Sequence, residues 1–117
     1  MDIIVTNNPL VEKQYRELFH IEYQDSASGV YIRVRDLVHG GHILLTHPLS
    51  GGLKPGEAAY RSVLVSGKIG GVDEQSLRMI EDCISLSRGF TPVTIPDRNL
   101  PDLQSIDLSL ISSALEK

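Results

Sequence analysis

Apolar positions along the chain fall into short runs separated by turn chemistry. Ile3-Ile4-Val5 is continuous and β-branched rather than alternating, the pattern of a strand covered on both faces. Thr6-Asn7-Asn8-Pro9 ends it with an N-capping Asn8 and a proline suited to a first helical position. Val11, Tyr15, Leu18 and Phe19 then follow at helical spacing. Ile21-Glu22-Tyr23 reads as a short strand closed by the polar stretch 24–29. Residues 30–39 fit both periods. Val30, Val34, Leu37 and Val38 extend the helical match, and Gly40-Gly41 supplies a stop, so a helix is expected there.

Ile43 to Thr46 and Ser62 to Ser66 are two further strand runs, joined by the long loop His47–Glu57. Val5, Leu45 and Leu64 are expected to be buried in adjacent strands. Asp73 caps a helix bearing Leu77, Ile80, Cys83, Ile84 and Ser87 on one face, closed by Arg88-Gly89. Thr91–Ile95, between two prolines, allows at most an edge strand, and Leu103–Leu115 reads as a final helix with a broad apolar face. This alternation predicts one α/β domain spanning residues 1–117, a three-layer sandwich whose mainly parallel sheet of four to five short strands is flanked by helices. The strand at 62–66 is left open to an antiparallel direction.

Composition narrows the class. Of 117 residues, 41% are hydrophobic and 22% charged, values of an ordinary folded domain. The net charge of −4 is spread over both halves without a basic patch, so nucleic acid is not an expected partner. No apolar run is long enough to span a membrane. The single cysteine, Cys83, and the lack of a leader pattern favour a reducing cytoplasm.

Ligands in open α/β sheets lie beyond the carboxyl ends of the strands. If the strands are parallel, three segments meet there: Asn7 and Asn8; His47, Ser50, Gly51, Gly52 and Lys54; and Ser66 with Lys68. Their amide, hydroxyl, imidazole and ammonium groups, with glycines that admit close backbone approach, suit a small anion. Neither Ser50-Gly51-Gly52 nor the glycines at 67, 70 and 71 form a nucleotide fingerprint, and no cofactor is expected. His42 and His47 flank a strand at odd separation, and His39 lies back at a helix end to cap its last carbonyls. No metal is expected. Cys83 sits on an apolar stripe beside two acidic residues and reads as core rather than nucleophile.

Three stretches carry a family resemblance: Thr6-Asn7-Asn8-Pro9-Leu10-Val11, Val34 to His42, and above all Leu44-Leu45-Thr46-His47-Pro48-Leu49-Ser50-Gly51-Gly52-Leu53-Lys54-Pro55. Together they resemble the small GrdX family over most of residues 1–66. The resemblance implies a cytoplasmic accessory protein of the glycine, sarcosine and betaine reductase systems of anaerobic bacteria, with a reductase component as partner, rather than a subunit performing the thiol chemistry. It carries no catalytic residue onto this chain, so the site residues rest on the strand-end argument. Two other readings remain. One is a small enzyme acting on a phosphorylated or carboxylated metabolite, with His47 as acid–base and Lys54 or Lys68 holding the anion. The other is a homodimer formed through the apolar face of the last helix.

Overall fold

A computed structural model describes residues 1–48, 59–88 and 96–116. The elements run β1 (Ile3–Thr6), α1 (Pro9–Tyr15), β2 (His20–Tyr23), α2 (Ala27–His39), β3 (Ser62–Val65), α3 (Glu74–Arg88), a 3-10 turn (Asp97–Asn99) and α4 (Leu100–Leu115). Among the described residues the sheet has three strands in the order β2-β1-β3. β1 pairs parallel with β2, Ile4 opposite Ile21, and antiparallel with β3, Ile4 opposite Leu64.

All of β1 is buried, as its unbroken β-branched run requires for a central strand. Alternation of side chains divides its contacts between two faces. Ile3 and Val5 join Val63 and Val65 beneath α2 and α3, where Val30, Tyr31, Val34, Val38, Ile80 and Cys83 complete the larger core. Ile4 and Leu64 face the other way, onto Val11 of α1 and Ile111 of α4, with Tyr15, Phe19, Ile21, Leu108 and Leu115 partly buried around them.

Local chemistry sets the helix ends. The Asn8 side chain accepts from Leu10 N at 3.0 Å with Pro9 in the first turn, and Ser26 accepts from Gly29 N at 3.0 Å to open α2. Asp73 accepts from both the backbone N–H (3.0 Å) and the hydroxyl (2.6 Å) of Ser76, which holds its carboxyl below the usual range. After α2 the chain turns at Gly41, whose φ of 104° favours glycine and where a Cβ would collide with the Gly70 carbonyl.

The sheet differs from the sequence expectation of four to five mainly parallel strands: it is smaller and mixed. The run at 43–46 contributes only a bridge, Leu44 opposite Val65. Side chains intercept its ladder. Ile43 N donates to Ser66 Oγ (2.9 Å), Leu44 N to Ser76 Oγ (3.0 Å), and Thr46 Oγ1 takes the Leu64 N–H (2.9 Å). Leu45 N and Thr46 N both reach Leu64 O, so the pairing bulges and ends. Leu44 is consequently the buried residue, whereas Leu45, expected inside, is 48% exposed. The edge strand expected at 91–95 lies outside the described residues.

Candidate functional site

Polar groups converge where β1 ends. Thr6, Asn7 and Asn8 are all buried there, beside Arg61 and Ser62 at the start of the antiparallel β3 and Asp107 from α4. Asn7 stitches two chain segments together. Its Nδ2 donates to Ala59 O (2.9 Å), its Oδ1 accepts from Arg61 N (2.8 Å), and its carbonyl accepts from Tyr23 Oη (3.1 Å). Asn8 caps α1 through Oδ1 and turns its Nδ2 toward α4, donating to Gln104 O (2.8 Å) and to Asp107 Oδ2 (3.0 Å).

Hydroxyls extend this arrangement with a defined direction. Ser62 Oγ donates to Asp107 Oδ2 at 2.7 Å, so the 2.7 Å bond between Thr6 and Ser62 is donated by Thr6. Thr6 Oγ1 in turn accepts from Asn8 N at 3.0 Å. The relay therefore runs from a backbone N–H through two hydroxyls to a carboxylate. The arrangement holds one Asp107 carboxylate oxygen with two neutral donors, Asn8 Nδ2 and Ser62 Oγ.

Neighbouring strand residues face opposite ways, and Arg61 accordingly points to the α2 side. Its Nε donates to Tyr31 Oη at 2.9 Å in the interior. Burial pushes the Tyr31 phenol up to about 12 against the opposing pull of Arg61, and pushes the nearby Cys83 thiol up to about 11. Cys83, as expected, is a core residue.

The expected convergence of three segments is only partly formed. Asn7 and Asn8 stand at the strand end, but β3 runs antiparallel to β1, which carries Ser66 and Lys68 to the opposite end of the sheet. There the Ser66 hydroxyl donates to Lys68 O (3.1 Å), and the adjoining Gly67 N donates to Asp2 Oδ1 (3.0 Å). The 43–46 segment runs antiparallel to β3 and so leads the exposed His47 back toward the end where β1 stops. Ser50, Gly51, Gly52 and Lys54 lie outside the described residues.

His42 and His39 serve packing and pairing. His42 Nδ1 donates to Ser66 O at 2.6 Å. His39, expected to cap α2, instead bridges to Glu81 of α3 at 3.3 Å. Among the described residues no group of three or more His, Cys, Asp or Glu side chains is disposed to hold a metal ion.

Sequence reasoning missed Asp107, Arg61 and Tyr31. Asp107 had a readable signal, since Leu103, Asp107 and Ile111 recur every four residues on one helical stripe. Arg61 and Tyr31 had none, because their pairing joins residues 30 positions apart.

These features define a small α/β protein whose buried polar centre sits at the end of its central strand. The chain belongs to the GrdX-like protein family, whose model matches residues 3–116. Membership associates it with glycine reductase systems. No curated protein and no solved structure matches it.

Proposed function

We propose that this chain is a non-catalytic accessory or regulatory protein of glycine, sarcosine or betaine reductase metabolism, receiving a small anionic metabolite or a reductase component at the strand-end edge. The observation that carries the reading is the state of its one thiol. Cys83 is the sole cysteine, is 1% exposed, and burial pushes its thiol up to about 11. A thiol so placed suits packing rather than reductive chemistry, which supports an accessory role. The strand-end edge is favoured as the contact region because the exposed His47 is led toward it.

The test is complementation. Glycine-reducing cells lacking this chain should lose reductive flux, and a Cys83→Ala copy should restore it as fully as the original. Flux restored by the original but not by a folded Cys83→Ala protein would place the thiol in the chemistry and overturn the accessory role. In a parallel measurement, the immobilised full chain should retain a purified reductase component, with retention reduced by His47→Ala.

A further inference from the structure

The strand-end centre contains the one buried acidic side chain among the described residues, Asp107, 7% exposed. Among those residues no lysine or arginine forms an ion pair with it. Its compensation comes from the neutral donors Asn8 Nδ2 and Ser62 Oγ. A buried carboxylate held this way is a poor choice for stability, because an apolar residue on the same helical stripe would bury more favourably.

The donors are set largely without Asp107. Asn8 is fixed by capping α1 and by its N–H to Thr6, and Thr6 donates to Ser62. What α4 adds is the Asp107 carboxylate and the Gln104 carbonyl, both of which accept from the Asn8 amide. That helix buries only Asp107 and Ile111, and its other polar ties to the body are three: Gln104 O accepts from Asn8 Nδ2 (2.8 Å), Gln104 Nε2 donates to Tyr60 (3.0 Å), and Ser112 bonds Tyr15 (2.7 Å).

We infer that Asp107 is an internal ligand: its carboxylate occupies a carboxylate-binding site built by Asn8 and Ser62, and a free small carboxylate binds there by displacing Asp107 and releasing α4. This autoinhibitory contact rests on the strand-end reading above and names its ligand class. A tethered carboxylate competes at an effective concentration of about millimolar or more, so free ligand acts on the wild-type chain only at high concentration. Removing the tethered group removes the competitor.

The test uses the full chain with sodium acetate, ionic strength matched by sodium chloride. Asp107→Ala should melt lower than wild type, and acetate should raise its Tm by several degrees in a saturable manner that chloride does not reproduce. A second change, Ser62→Ala, should abolish the rise. In the wild type, high acetate should accelerate amide exchange in α4 severalfold while β1 and α2 stay unchanged. Should Asp107→Ala fail to fold, Asp107→Asn keeps the shape, and its α4 should be released at lower acetate than in the wild type. A folded Asp107→Ala protein indifferent to acetate overturns the inference, as does an Asp107→Asn protein with the wild-type acetate dependence. Acetate that raises the wild-type Tm without accelerating α4 also overturns it, while leaving the strand-end reading intact. Loss of reductase-component retention with the acetate rescue preserved has the reverse meaning.

Discussion

The two faces of the sheet are held by different physics. Beneath α2 and α3, β-branched strand residues meet Val30, Val34, Val38, Ile80 and Ile84 in a continuous apolar core. Beneath α1 and α4 the buried apolar set is Ile4, Val11, Leu64 and Ile111, and the junction is completed by Asn8, Ser62 and Asp107. Apolar burial is non-directional and grows with area, whereas a buried hydrogen-bonded carboxylate contributes little net stability but fixes one arrangement. The first face is therefore suited to define the fold. The second is suited to open locally.

The largest expected effect comes from the apolar face. Ile80→Ala should cost about 2–5 kcal/mol and lower the denaturant midpoint of every element together. If only α3 loosened, the faces would not differ in the way described. Asp107→Ala leaves the Asn8 amide and the Ser62 hydroxyl short of an acceptor and should cost about 1–3 kcal/mol. Its exchange signature should be confined to α4 and the start of α1, which separates it from the global loss at Ile80.

Alkaline titration addresses the apolar face again. Cys83 and Tyr31 ionise near 9 and 10 when unfolded but at about 11 and about 12 when folded. The unfolded chain loses these protons first, so stability should fall as pH rises from about 9 to about 12. Cys83→Ala should flatten the lower part of that slope, and an unchanged slope in equilibrium unfolding would contradict the assignment. The smallest effect is expected on the surface. Arg33 grips Glu22 with bonds of 2.9–3.1 Å, yet the pair is partly exposed, so Glu22→Gln should cost under about 1 kcal/mol and less at high salt.

Much of the apolar face was legible in the sequence, because periodicity reports burial. The continuous run Ile3-Ile4-Val5 announced a central strand, and Val30, Val34, Leu37 and Val38 announced α2 against a competing strand reading. Strand direction was not legible, since burial is the same whichever way a strand runs. β3 returned antiparallel and took Ser66 and Lys68 away from the candidate site. The run at 43–46 had the right composition for a strand, but Ser66, Ser76 and Thr46 captured its backbone bonds, which no periodicity encodes. Asn8 was legible as a cap; its second role, holding Asp107, needs a partner 99 positions away.

Native-state hydrogen exchange of the wild-type chain across a denaturant series separates an α1–α4 face that opens on its own from one that unfolds only with the α2–α3 core. Amides of α4 should exchange through an opening of smaller free energy and shallower denaturant dependence than those of β1, α2 and α3, which should share the global transition. Amides of α4 that merge with β1 and α2 in one transition at all denaturant concentrations would contradict it.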